Sequence, residues 1–557
     1  MRRPHLLDAL RDRVLLCDGG MGSRVQALTL DIEKDYWGRE NCTDVLVLSR
    51  PDLVRDIHKG YYAAGADMVE TNTFGASPVT LGEFDLSDRA FEINKRAGEL
   101  AREAAESFAD GRDRWVVGSV GPGTKLPSLG NIAYDPLEQA LAEQCRGLIA
   151  GGVDAILIET CQDTLQIKAA VNGAKIARRE ARTDTPIFVQ VTVETTVTLL
   201  VGPDIGAAAT VIQSLDVPLM GLNCATGPQE MAEHVGWLAK NWPGLISVQP
   251  NAGLPELVDG HTHYPLGAAE LASWLERFVQ EDGVNLIGGC CGTNIEHIAA
   301  LDAMLRKRAV GSRGFRPAPV ARTAVWVPSV TSLYQSVPLR QENALFAIGE
   351  RCNANGSKKW RELQETHDWD GCVAMGREQI GEGSHALDIC TAFVGRDENA
   401  EMSEVVRRFT ASVNVPLVID STETPVIEAA LKLHGGKAII NSINFEDGEH
   451  HAHDRLVLAK RFGAGVIALT IDEVGMAKTA EDKLRIARRL VDFACNKHGL
   501  AQSDLLIDPL TFTIATGNED DRKLGLWTLE GIKAIRQEFP DIQIILGLSN
   551  ISFGLNP

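Results

Sequence analysis

Residues 155–193 read AILIETCQDTLQIKAAVNGAKIARREARTDTPIFVQVTV. An apolar run at 155–160 ends in Glu-Thr, apolar residues recur at helical spacing over 164–179, and a second apolar run rich in β-branched residues follows at 187–193. A short apolar run, a polar turn, an amphipathic stretch and another run make a βα unit with parallel strands. Outward from this stretch the unit repeats. Strand-like runs lie at 14–20, 67–74, 115–122, 218–224, 247–253 and 285–293, and helical segments include 87–109, 136–151, 267–281 and 295–308. Eight strands alternating with helices predict a (β/α)8 TIM-type barrel over residues 1–308. A doubly wound sheet is the alternative, but the Gly-rich dinucleotide turn that commonly marks it is missing.

Between Arg306 and Arg322 the chain has six basic and no acidic residues, broken by Gly311, Gly314, Pro317 and Pro319, so a linker is expected over 309–342. Strand-like runs resume at 345–351, 385–390, 416–421, 437–443, 465–471, 505–509 and 542–549. Seven runs in residues 343–557 fall short of the ~250 residues of an ordinary barrel, which predicts a second barrel truncated before its eighth strand, with exposed strand edges. With 55 basic against 75 acidic residues the net charge is −20, which excludes nucleic acid or an anionic membrane as the main partner. The chain has no long apolar run, and an acidic residue follows closely on its start, so a cytoplasmic protein is expected. Eleven scattered cysteines read as reduced thiols rather than a disulfide framework, leaving some free to bind metal.

In such barrels the working residues sit where strands end. Cys224 closes the sixth run in Gly-Leu-Asn-Cys-Ala, and Cys290-Cys291 close the eighth in Gly-Gly-Cys-Cys-Gly-Thr. A lone cysteine is more often a small buried hydrophobe. Two adjacent thiols between glycines, faced by a third from another strand end, instead predict a zinc site with one open position. Three thiolates leave the metal a weak Lewis acid, so its expected role is to deprotonate an incoming thiol and keep that sulfur nucleophilic. Asp18, Gly19 and Gly20 end the first run and Glu159 the fourth, a set suited to an α-amino and an α-carboxylate group. Asp18 and Glu159 are equally read as an acid or base, or as helix caps. Thr71, Asn72 and Thr73 are expected to line the same mouth, whereas the histidines at 261, 263, 450, 451 and 453 are expected in solvated loops.

Five motifs, Asp-Gly-Gly-Met-Gly at 18–22, Glu-Thr-Asn-Thr-Phe at 70–74, Ile-Glu-Thr at 158–160, Gly-Leu-Asn-Cys at 221–224 and Gly-Gly-Cys-Cys-Gly-Thr at 288–293, resemble the homocysteine-binding barrel of zinc-dependent S-methyltransferases. Gly-Glu-Arg-Cys-Asn at 349–353, Ile-Asp-Ser-Thr at 419–422, Ile-Asn-Ser-Ile-Asn at 440–444, Asp-Glu-Val-Gly-Met-Ala-Lys-Thr at 472–479, Ile-Asp-Pro-Leu at 507–510 and Gly-Leu-Ser-Asn-Ile-Ser-Phe-Gly at 547–554 resemble the pterin-binding barrel of methyltetrahydrofolate methyltransferases. In this order the two resemble the front half of the cobalamin-dependent methionine synthase family.

That resemblance implies zinc on Cys224, Cys290 and Cys291, with homocysteine adding a sulfur ligand and its amino acid end fixed by Asp18 and Glu159. In the second barrel it implies Asp420, Asn441, Asp508 and Asn550 around the pterin of 5-methyltetrahydrofolate, with Glu350 and Asp472 as further contacts. The catalytic part, polarising N5, falls to Asn550 with Asp508. Carboxylates and amides suit the mixed donors and acceptors of a pterin edge. Cys352 stands where the family commonly has Thr, and 387–391 depart from its Asn-containing turn. A corrinoid-ligating Asp-x-His-x-x-Gly motif is absent, so cobalamin is expected on a separate partner domain. The alternatives are a direct sulfonium or betaine-type methyl donor, or a non-catalytic zinc- and folate-binding fragment.

Overall fold

A computed structural model of the chain describes residues 4–258, 261–309, 316–516 and 518–554. Among them, no helix is long and apolar enough to cross a membrane. The chain divides into two compact units, Met1–Val327 and Pro328–Pro557.

The first unit is an eight-stranded parallel barrel. Its strands are β1 (Leu15–Leu16), β2 (Met68–Glu70), β3 (Trp115–Val120), β4 (Ala155–Cys161), β5 (Ile187–Val191), β6 (Leu219–Asn223), β7 (Leu245–Gln249) and β8 (Leu286–Ile287). They pair in the order β1-β8-β7-β6-β5-β4-β3-β2. The β1–β2 seam is closed by Asp67, whose N–H donates to Leu16 O at 2.7 Å while its Oδ2 accepts from Leu16 N at 2.9 Å. Runs such as Ile-Phe-Val-Gln-Val make β5 because branched and aromatic side chains suit a strand buried on both faces. The N-terminal helix Leu6–Asp12 plugs the base: Leu6, Ala9 and Leu10 join Met68, Trp115, Leu157, Phe188 and Leu219 in one core. Each fully buried side chain of this kind contributes roughly 1.5–3 kcal/mol. The helix Ile295–Arg308 follows β8, N-capped by Asn294.

The second unit is a curled, seven-stranded parallel sheet of β9 (Ile348–Gly349), β10 (Ala386–Ile389), β11 (Leu417–Asp420), β12 (Ile439–Ile443), β13 (Gly465–Leu469), β14 (Leu505–Asp508) and β15 (Gln543–Ile544), paired in that order. Among the described residues the outer strands β9 and β15 each pair on one side, so the sheet is a curled, seven-stranded part of a barrel. A hairpin of Ser329–Thr331 and Ser336–Pro338 covers its base, where Val330 and Leu339 pack with Val418, Ile439, Ile467 and Leu506.

Of the stretch expected as linker, residues 310–315 lie outside the described residues. Residues 316–327 belong to the first unit, where Val14 N donates to Pro317 O at 2.9 Å, and 328–342 open the second. The histidines at 450, 451 and 453 begin a helix, His450–Phe462, rather than a loop: the stretch 450–462 carries apolar residues that bury Leu456, Ala459 and Phe462. His261–His263 is one strand of a small hairpin with Glu256–Val258, and the side chain of His261 lies outside the described residues.

Candidate functional site

The three sulfurs meet at the C-terminal mouth of the first barrel. Cys224 follows β6 with φ +59°, a left-handed turn that aims its side chain over the mouth. Cys290 and Cys291 follow β8 and are tied across to the loop after β7: Cys290 N donates to Pro250 O at 2.9 Å, and Cys291 N to Asn251 Oδ1 at 3.1 Å. The three Sγ atoms lie within 4.8 Å of one another, and those of Cys224 and Cys291 are 3.9 Å apart. Tetrahedral zinc with sulfur at ~2.3 Å requires sulfurs ~3.8 Å apart, so the set fits that ion. All three cysteines are partly exposed, which leaves access for a further ligand. Hydrogen bonds from Cys224 and Cys290, and one from Tyr264, push the Cys291 thiol down to about 3. The same cluster raises Cys224 and Cys290, so its thiolate character is concentrated on Cys291.

Beside the sulfurs lies a buried carboxyl cluster. Asp18 Oδ2 accepts from Glu70 N at 3.1 Å, and Glu70 Oε1 from Gln249 Nε2 at 2.7 Å. Glu159 Oε1 accepts from Ser119 Oγ at 2.5 Å and its Oε2 from Asn223 Nδ2 at 3.0 Å. Glu70 and Glu159 also hydrogen-bond one another. Burial pushes Asp18 up to about 8; burial and then the Asp18 charge push Glu70 up to about 8, and burial raises Glu159 as well. Burial of these carboxyls favours their neutral form over the charged one. Gly19 and Gly20 admit no side chain: a Cβ at Gly19 would lie 2.7 Å from Thr293 Oγ1, and one at Gly20 2.7 Å from Cys290 O. The Gly20 amide donates to Thr293 Oγ1 at 3.1 Å. Thr71 and Thr73 turn inward and bond each other at 2.6 Å, and Asn72 Nδ2 donates to Thr43 O at 2.8 Å.

The second unit gathers polar side chains at the ends of β10, β11 and β12. Asn353 Nδ2 donates to Asp388 Oδ2 at 2.9 Å and to Asp420 Oδ2 at 2.8 Å, and Asn441 Nδ2 donates to Asp388 Oδ1 at 3.2 Å. Burial raises Asp388, and it pushes Asp420 up to about 7. Asp508 ends β14, accepts from Leu510 N at 2.8 Å, and is pushed up to about 6 by burial. Asn550 is exposed in the turn Leu548–Ser552, and Glu350 is exposed after β9. Asp472 is paired with Arg485 at 2.8 Å and accepts from Val474 N, so its carboxylate shapes a hairpin.

Several participants escaped the sequence reading. Glu70 closes a strand as Asp18 and Glu159 do, and that position was its signal. Ser119 is a polar residue inside the apolar strand β3, and Asn223 and Gln249 are the last residues of β6 and β7. Tyr264, whose ring packs over Gly292, sits in the histidine-rich stretch set aside as a loop.

Comparison with known proteins agrees with this layout. Residues 15–305 match the homocysteine S-methyltransferase family model, and residues 349–557 match that of pterin binding enzymes. The chain is 45% identical to methionine synthase of Mycobacterium tuberculosis and 44% identical to that of Mycobacterium leprae, each over 99% of this chain and 46% of the relative. It thus spans about half the length of the relatives it matches. The metallated homocysteine methyltransferase MmuM of Escherichia coli superposes with a TM-score of 0.44 at 23% identity, over 54% of this chain and 98% of that one. Over residues 15–305, more than half its length, the chain belongs to the homocysteine S-methyltransferase family.

Proposed function

We propose that this chain provides the two substrate sites of a methyl transfer from 5-methyltetrahydrofolate to homocysteine. The observation that carries the reading is the convergence of Cys224, Cys290 and Cys291 within 4.8 Å, together with the buried carboxyls of Asp18 and Glu159 and the half-buried one of Glu70. Those cysteines would hold zinc, which when bound acidifies a thiol while leaving the sulfur nucleophilic. The homocysteine ammonium takes the place of one proton in the Asp18, Glu70 and Glu159 cluster, that proton leaving to solvent, and its carboxylate end lies over Gly19 and Gly20. In the second unit Asp420, Asn441 and Asp508 take the donor and acceptor atoms of the pterin edge, with Asn353 and Asp388 orienting them. Asn550 polarises N5 through an amide hydrogen bond and Asp508 supplies the proton there, with Glu350 and Asp472 at the rim. The remaining partner is a cobalamin-bearing domain, which supplies the methyl carrier. A direct sulfonium or betaine-type donor would leave the pterin half without a role.

The test measures metal content and the zinc X-ray absorption edge of the purified chain, with and without homocysteine. About one zinc per chain, lost in Cys290→Ala and gaining a sulfur neighbour with homocysteine, supports thiol activation. Metal-replete reduced protein without zinc overturns it. Zinc-dependent methionine formation from free methylcobalamin and homocysteine then separates an enzyme from a binding fragment.

A further inference from the structure

Asn223 ends β6 immediately before the candidate ligand Cys224, and only 1% of it is exposed. Its side chain does not bond the neighbouring strand β5. It crosses to β4, where Nδ2 donates to Glu159 Oε2 at 3.0 Å and to Thr160 Oγ1 at 2.8 Å, while Oδ1 accepts from Thr160 N at 2.8 Å. Its backbone carbonyl accepts from Thr192 Oγ1 at 2.8 Å, beyond the end of β5. Three consecutive strand ends thus meet on one residue. The amide uses both N–H groups and its carbonyl, the combination asparagine offers and neither aspartate nor leucine can match.

The backbone on either side explains the need for such a tie. Thr160 has φ +56°, at the point where the register of β4 shifts between Ile158 and Cys161, and Cys224 has φ +59°, where the chain leaves β6. That region is disfavoured for a β-branched residue and persists only where surrounding bonds enforce it. Asn223 supplies those bonds to Thr160, and through its own backbone it determines where the chain turns into Cys224. The Glu159 carboxyl is aimed by Ser119 from β3 on one oxygen and by Asn223 from β6 on the other.

The geometry points to Asn223 as a positioning residue that holds the zinc ligand Cys224 and the amine-binding Glu159 in one frame, so that recognition of the amino acid end and the set of the metal ligands are coupled. This rests on the proposed roles of Cys224 and Glu159. The coupling makes the site selective for a thiol that carries an α-amino group.

The experiment uses the full chain with Asn223→Ala, the near-isosteric Asn223→Asp, Glu159→Gln and the Asn223→Ala/Glu159→Gln pair. Zinc affinity is measured by chelator competition, and calorimetry on zinc-loaded protein follows binding of homocysteine and of mercaptobutyrate, its amine-free analogue. Asn223→Ala is expected to weaken zinc by roughly 10–100-fold, the usual effect of removing a group that orients metal ligands. Glu159→Gln is expected to weaken homocysteine while leaving zinc and mercaptobutyrate binding unchanged. The double variant should bind homocysteine no more weakly than Asn223→Ala alone, because residues sharing one network are not additive. Native zinc affinity in both Asn223 variants, or additivity with Glu159→Gln, overturns the inference. Should Asn223→Ala not fold, Asn223→Asp carries the same comparison at nearly unchanged shape. Wild-type protein that fails to bind homocysteine, or a Glu159→Gln variant that binds it normally, overturns the assignment of Glu159 and with it the coupling; a zinc effect of Asn223 then stands apart as evidence on the metal loop alone.

Discussion

Gly292 and Tyr264 fit against one another at the turn that carries Cys290 and Cys291: Gly292 has φ +76°, and a Cβ built on it would lie 2.3 Å from Cγ of the tyrosine ring. A side chain there meets both a backbone conformation it resists and the ring of a tyrosine whose hydroxyl donates to Cys291. Gly292→Ala is expected to displace Tyr264, shift the adjacent Cys291 and lose zinc, with about 1–3 kcal/mol of destabilisation from overpacking. Zinc stoichiometry and a denaturant melt check this. The double variant Gly292→Ala/Tyr264→Ala should recover stability, because the ring is gone, but not full zinc affinity.

Arg316 supports the barrel seam. It is 2% exposed, its Nε lies 2.6 Å from Asp67 Oδ2, another nitrogen lies 2.7 Å from Asp302 Oδ1, and a third donates to Gly65 O at 2.6 Å. Asp67 in turn closes β1 on β2. Arg316→Met removes this fork while Asp67 keeps Arg112 and Asp302 keeps Arg306, so the expected cost is about 1–3 kcal/mol. Arg316→Lys should recover little, since one ammonium cannot reproduce the three-way fork. Denaturant titration monitored through tryptophan fluorescence reads both.

Much of the fold was legible because each strand is a compact apolar run and each helix an amphipathic one. Cys224, Asp18, Glu159 and the Cys290–Cys291 pair stood out by ending such runs. Arg316 did not, since its partner Asp67 lies 249 residues away and its neighbours spell a basic, Pro- and Gly-broken linker. Asn223 and Gln249 were hidden for a related reason: each is the last residue of an apolar strand, and its amide acquires meaning only when barrel closure brings β4 or β2 opposite. Asn353 and Asp388 lie at strand ends but bond each other across β9 and β10, a pairing no local pattern encodes.

The carboxyl cluster sets a pH dependence. Burial lifts Asp18 from 3.8 to about 8, so in the folded state it keeps its proton where the unfolded chain has lost it. Its contribution is therefore fully present below about pH 4 and is lost as pH rises through about 8. Thermal melts of the zinc-loaded protein across this window should show the first unit weakening with rising pH. Asp18→Asn, which cannot titrate, should flatten that slope. An unchanged slope would remove Asp18 from the cause.

Lys483 makes the corresponding prediction for the second unit. Its ammonium is buried and donates to Ala477 O at 2.8 Å, Pro509 O at 2.6 Å and Leu510 O at 3.0 Å, joining the loop after β13 to the one after β14. Burial lowers it to about 8, yet its charge still opposes the rise of Asp508. Lys483→Met strands these carbonyls, each unsatisfied buried group costing ~1–3 kcal/mol, and releases Leu510, whose φ of +59° and bond to Asp508 shape the loop. Asp508 then loses both its backbone donor geometry and a nearby positive charge, so its carboxyl should titrate higher still. Binding of 5-methyltetrahydrofolate to the Lys483→Met protein should weaken, with its pH profile displaced upward, while zinc content of the first unit stays native. Lys483→Arg should restore the charge but not the three-carbonyl fit, separating the electrostatic part of the effect from the structural one. A Met variant with wild-type affinity and an unshifted profile would show that the loop holds Asp508 without this lysine.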